Sequence, residues 1–326
     1  MMRFVVRRIF WAAFLFFVAT VITYLIFWVI PADPAKLAAG KAATPADVAR
    51  VRHFLHLDKP LWWQYGNFVK NLVWHQSLGR SFVNRQSVDF LIGQDAPVTA
   101  SLVVGAAIIW LSLSIPIGVL SALRPRSVGD RIAMTFVLIG ISAHPVWIGL
   151  ILSYVFGYRL HLTPIAGYCN FFPGTPGAQC EGALQWGYHL ILPWTTFMIL
   201  YMALYVRLVR ANVMETMNED YVRTARAKGA RESRVMVQHV LRNSMLPIVT
   251  IFGMDLGLAL GGAIFTEGIF DLPGLGHEII TAYGNDDLPM ITGIVVFATL
   301  TIILANLIVD VAYGFVDPRI RTSASH

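Results

Sequence analysis

Asp255 stands in the middle of LPIVTIFGMDLGLALGGAIF, Leu246–Phe265, an apolar run with no other acid or base. An ionisable group in such a run faces a neighbouring helix or a water-filled path, because lipid cannot solvate it. Asp255 therefore has two readings: a hydrogen bond to an adjacent helix, or a place beside a substrate path. His144-Pro145 in ISAHPVWIGL raises the same choice. Proline removes a backbone donor and bends a helix, so this polar point fits a pore wall or plain packing. Cys169 and Cys180 are the only cysteines and share one polar loop; they are either a disulfide or two small unpaired residues. No catalytic constellation accompanies these groups. There is no G-x-x-x-x-G-K-[ST] phosphate loop, so the chain is not expected to hydrolyse ATP. H-E-x-x-H and paired Cys-x-x-Cys patterns are absent, and His53 and His56 read as surface or packing residues, so no metal site is expected.

The elements that carry these residues are apolar helices. Of 326 residues, 56% are hydrophobic and 13% are charged, against about 25% charged in a soluble domain. Six stretches reach the roughly 20 residues a helix needs to cross a bilayer: Ile9–Ile30, Val98–Leu123, Ile132–Gly157, Tyr188–Val206, Leu246–Phe265 and Pro289–Gly314. The first is too long for the apolar part of a cleaved leader. The expected class is an all-α integral membrane protein of six transmembrane helices. Its parts are an N-terminal span (1–30), an outer helical segment (31–97), a five-helix core (98–316) and a tail (317–326).

Orientation follows the basic residues. Arg3, Arg7 and Arg8, then Arg124, Arg126 and Arg131, then Arg319 and Arg321 fall on one side, together with the long loop 207–245. Short basic loops stay in the cytoplasm, which places both termini there and puts the cysteines outside, where an oxidising compartment permits a bridge. In the outer segment, Thr44-Pro45-Ala46-Asp47 reads as a helix start with a Thr cap and Pro at the first position. The aromatics beyond it, among them Phe54, Trp62, Trp63, Tyr65 and Trp74, suit packing on the membrane face or contact with an outer partner. Glu267–Ile279, EGIFDLPGLGHEI, reads as a turn or re-entrant element.

YVRTARAKGARESRV, Tyr221–Val235, is basic and studded with alanine. Residues 218–228 are good helix formers, and Gly229 stands where a helix terminates, preceded by the cation Lys228. A second helix starts at about Arg231. Three readings compete: a solvated basic loop near anionic lipid, a nucleic-acid patch, and a docking helix for a soluble partner. One aromatic in a short patch argues against nucleic acid. The length and the glycine fit docking best.

Residues 219–249, EDYVRTARAKGARESRVMVQHVLRNSMLPIV, resemble the cytoplasmic signature loop of ABC-importer permeases of the dipeptide/oligopeptide/nickel branch. LDKPLWWQYGNF, SLGRSF, EGIFDLPGLG and NLIVDVAYGFVDPRIR agree with that branch. Arg223, Thr224 and Ala225 stand where the broad importer signature has Glu-Ala-Ala, and Leu246-Pro247 comes late, as is typical of the peptide branch. The resemblance implies a type I importer permease fold in a bacterial inner membrane. It implies a second homologous permease chain, two ATPase subunits that hold ATP and Mg, and an extracytoplasmic substrate-binding protein. Coupling to the ATPase would fall to Glu219, Tyr221, Arg223, Thr224, Ala225, Arg226, Ala227, Lys228 and Gly229. The substrate path would include His144, Pro145, Asp255 and Glu267. The implied cargo is a peptide, with nickel or another small solute as the alternative within the branch; an ion-coupled secondary transporter is the alternative outside it.

Overall fold

The computed structural model describes residues 2–29, 33–40, 43–172 and 180–316; the tail 317–326 lies outside them. The described residues form helices and turns, with no strand among them beyond two isolated bridges. Among the described residues, five helices are long and apolar enough to cross a membrane, or six if one bent pair counts as a single span. The chain divides into two units: Met1–Thr99 with Pro273–Leu307, and Ala100–Leu272 with Ile308–His326.

In the first unit, α1 (Met2–Tyr24) continues as a π-helical stretch to Val29. The outer segment supplies α2 (Pro34–Ala39), α3 (Pro45–Phe54) and α4 (Leu61–Trp74). Thr44 caps α3 as its sequence predicts: its hydroxyl accepts from the Asp47 N–H, and the Asp47 carboxylate accepts from the Thr44 N–H at 3.0 Å. This reciprocal pair satisfies two otherwise orphaned donors. Aromatic residues join α4 to α1. Tyr65 and Thr20 share a hydroxyl hydrogen bond of 3.0 Å, and Tyr24 donates to Gln64 at 3.2 Å. Phe54, Trp62 and Trp74 remain exposed.

Helix α5 (Val88–Leu123) begins ten residues before the expected Val98, with Pro97 inside it. Its start is fixed from outside the helix: the Asp89 carboxylate accepts from the Leu78 N–H at 2.8 Å. A buried carboxylate, Asp287, holds the preceding turn. It accepts from the Ser81 hydroxyl and from the Phe82 N–H at 3.1 Å. Val88 and Ile92 then join Leu275 of α12 (Leu275–Gly284) and Met290, Ile291 and Ile294 of α13 (Leu288–Val316) in one apolar core.

The second unit is organised around α8 (Ala183–Met217), which packs against α6 (Val128–Ser142), α7 (Pro145–Leu152) and α11 (Arg242–Phe270). Gly140 makes the α6–α8 approach possible, since a Cβ there would fall 2.8 Å from that of Ala203. Trp110 of α5 stacks on Tyr201 of α8 with ring centroids 4.6 Å apart.

The expected third span is not one helix. α6 ends at Ser142, and α7 with its π-helical continuation to Arg159 departs at 106°. The residue before a proline avoids the helical region; His144 accordingly takes φ −72°, ψ 136°. Pro145 becomes the first residue of a new helix, where its missing N–H costs nothing. The fourth span also differs: α8 extends eleven residues past Val206, through a stretch without Gly or Pro.

Candidate coupling helix and intramembrane polar pair

Helix α9 spans Asp220–Ala227, with Glu219 as its N-cap residue. Val222 is fully buried and anchors the helix, while Tyr221, Arg223, Thr224, Ala227, Lys228 and Gly229 are exposed. Ala225 and Arg226 are half-buried. At the far end the Gly229 N–H donates to the Arg226 carbonyl at 2.9 Å, and the Ala230 N–H donates to the Ala225 carbonyl at 3.2 Å. These two bonds form a Schellman ending, which needs a left-handed residue; Gly229 supplies it at φ +77°. A side chain there would meet open space, so backbone conformation alone selects glycine.

Two contacts fix α9 against the segments C-terminal to it. Arg226 forms an ion pair of 2.6 Å with Glu232 of α10 (Glu232–Arg234), which holds that guanidinium still more firmly protonated. Asn243 donates to the Tyr221 hydroxyl at 3.0 Å. Both pairs are exposed, so they orient more than they stabilise. Arg223, Lys228, Arg231 and Arg234 are also exposed.

Asp255 lies on α11 and accepts a hydrogen bond of 2.8 Å from the Tyr205 hydroxyl of α8. His144 stands between α6 and α7 and lines an open cavity with Leu138, Ile139 and Trp147. It is exposed, its Nδ1 accepts from the Val146 N–H at 3.3 Å, and its ring meets Phe265 edge-on at 5.6 Å. Glu267 is fully buried in the last turn of α11, where its carbonyl accepts from the Leu272 N–H at 3.0 Å. Glu267–Ile279 is therefore a helix end, a left-handed residue at Asp271, a Pro-Gly turn and the first half of α12. Asp255 and Glu267 share α11, and His144 reaches that helix at Phe265. Cys169 and Cys180 stand in disulfide geometry, with Cα atoms 5.0 Å apart.

Residues 114–322 match the family described as binding-protein-dependent transport system inner membrane component, and residues 1–103 match its N-terminal component. The chain belongs to this family. It is a permease subunit of a binding-protein-dependent transporter, not an enzyme. Its relatives include the dipeptide transport system permease protein DppB of Escherichia coli K12, 36% identical over 98% of this chain and 99% of that protein. The di/tripeptide transport system permease protein DppB of Pseudomonas aeruginosa is also 36% identical, over 98% and 99%. The helical architecture is that of a type I importer permease in the inner membrane.

The permease also contains a charged site that spacing did not disclose. Asp130, at the start of α6, is buried and accepts from both Arg210 Nε and Nη2, at 2.7 and 2.9 Å. It accepts as well from the Ser121 hydroxyl of α5 and from the Arg126 N–H at 2.8 Å. Three helices are tied at one carboxylate. Asp130 alone reads as an acid in a first helical turn, three residues after the Ser127 cap. The available signal was Arg210 itself, a cation in the apolar flank of a long helix that needs a buried partner.

Proposed function

We propose that this permease imports peptides, delivered by an extracytoplasmic binding protein and driven by two cytoplasmic ATPase subunits that bind ATP and Mg. The chain would pair with a second, homologous permease, and both termini would lie in the cytoplasm. The observation that carries the ATPase role is α9: an exposed, cationic helix, anchored by Val222 and closed by the left-handed Gly229. Such a helix can seat in a groove of a soluble partner through charge-assisted contacts. Movement of the ATPase pair then shifts α9, and the shift passes into α11 through the continuous π-helical stretch Val235–Leu241. Alternating access results if each ATPase state binds a different position of the helix. Peptide cargo is supported by the two relatives, whose names specify dipeptides and di- or tripeptides. The exposed aromatics Phe54, Trp62 and Trp74 suit the lipid interface on the outer side. Cys169 and Cys180 are proposed to be bridged there.

The test is reconstitution of the permease pair, the ATPases and the binding protein in vesicles. Dipeptide uptake is expected to require ATP and the binding protein. Uptake that persists without ATP and collapses with an ion gradient would overturn the reading in favour of a secondary transporter. ATP-dependent uptake of nickel in place of dipeptide would move the cargo to the other arm of the branch.

A further inference from the structure

The second unit carries a cluster that the proposed transport cycle does not draw on. The sulfurs of Cys169 and Cys180 and a ring nitrogen of His189 all lie within 4.8 Å of one another. Cys169 is fully buried, and the other two are half-buried. The loop ends are held together by backbone bonds from Asn170 N–H to the Cys180 carbonyl at 3.2 Å and from Gly182 N–H to the Asn170 carbonyl at 2.9 Å. His189 comes from the second turn of α8. Its Nδ1 is 2.9 Å from the Gln185 carbonyl, and its Nδ1 and Nε2 are 3.2 and 3.7 Å from Cys169 Sγ.

The Gln185 carbonyl can only accept, so Nδ1 carries the proton in that contact and Nε2 keeps the ring's free lone pair, 3.7 Å from Cys169 Sγ. A histidine that ligates zinc donates its other N–H to a carbonyl or carboxylate in this way. Tetrahedral zinc with Zn–N and Zn–S bonds of about 2.1 and 2.3 Å separates nitrogen and sulfur by about 3.5 Å; Nε2 stands 3.7 Å from Cys169 Sγ. Two thiolates and one imidazole leave a fourth position for water.

We propose that Cys169, Cys180 and His189 form a zinc site when the cysteines are reduced, and that the disulfide and the zinc complex are mutually exclusive states of one cluster. A dithiol reductant transfers two electrons and two protons to the S–S bond, giving two thiols and its own disulfide. Zinc then replaces the two thiol protons, which pass to solvent, and takes Nε2 as the third ligand. The inference rests on side-chain chemistry alone and stands whichever cargo the transporter moves.

The full-length permease in detergent would be reduced with a phosphine, stripped with a chelator and titrated with Co2+ and then Zn2+ without oxygen. One equivalent of metal per chain is expected, with a thiolate-to-cobalt absorption band that zinc abolishes. Cys169→Ser should lose the band, and His189→Ala should weaken zinc at least tenfold. His189→Cys should retain one equivalent, which separates loss of a ligand from loss of folding. Metal binding in the reduced chain no greater than in Cys169→Ser, or equal binding by the oxidised chain, would overturn the site.

Discussion

The Tyr205 hydroxyl on α8 donates to the Asp255 carboxylate on α11 at 2.8 Å, a polar tie between two apolar helices. The reading of Asp255 as a helix-to-helix hydrogen bond accounts for this contact. A role in the substrate path is a separate matter, and the two can be told apart. Tyr205→Phe removes the donor and keeps the ring; it should cost about 1 kcal/mol in thermal unfolding. Asp255→Ala should insert normally but lower dipeptide uptake by more than Tyr205→Phe does. Equal loss of uptake in both, in step with lost stability, would reduce Asp255 to packing.

Gly229 offers a graded test of the docking helix. Gly229→Asn should behave close to wild type, since asparagine tolerates the left-handed region. Gly229→Ala should strain the Schellman ending by roughly 1–2 kcal/mol and reduce recovery of the ATPases with the permease. Gly229→Asp adds an anion among exposed cations and should uncouple ATP hydrolysis from uptake while the protein remains in the membrane. Normal ATPase recovery and transport in Gly229→Asp would refute the docking role.

The bidentate Asp130–Arg210 pair predicts a third outcome. Arg210→Met leaves a buried carboxylate without its cation, which costs about 3–5 kcal/mol. The double variant Asp130→Asn, Arg210→Met should recover most of that loss. Unfolding midpoints of the two single variants and the double, compared as a cycle, give the coupling directly.

Burial holds Glu278 above the ordinary carboxylate range; Asp287 adds to the effect and His277 opposes it. The folded chain therefore keeps this proton to a higher pH than the unfolded chain does. Its contribution to stability falls as pH rises from the ordinary glutamate value to the raised folded value, then levels. Glu278→Gln should remove that slope and leave the protein more stable than wild type at the upper end. Thermal unfolding between about pH 4 and pH 8 measures both.

What could be read from the sequence was whatever a short window contains. The apolar lengths marked the spans, Thr44 and Asp47 marked the start of α3, and Gly229 marked the end of α9. Each of these signals lies within one or two helical turns of its consequence. The early start of α5 was hidden, because Pro97 looks like a helix beginning and the true anchor is a hydrogen bond from Leu78 to Asp89. His144-Pro145 promised a bend, but whether a helix kinks or restarts depends on how α7 packs on α8. Asp130 with Arg210, and His189 with the cysteines, pair residues 80 and 20 positions apart. Spacing along a chain carries no direct record of such meetings.

The 106° break at Ala143 has a consequence for how the protein is made. α6 has 15 residues, about 22 Å of helix, against a hydrocarbon thickness of about 30 Å. The second half, Pro145–Arg159, is no longer than α6. Neither half is long enough to settle in the bilayer by itself as it leaves the ribosome, and the freed backbone groups at the bend need a protein surface to cover them. α8 packs against both halves and α11 packs against α7, and both are synthesised afterwards. The expected consequence is that α6 and α7 settle fully in the bilayer only after α8 has been made, which protease protection of a chain truncated before Ala183 would measure.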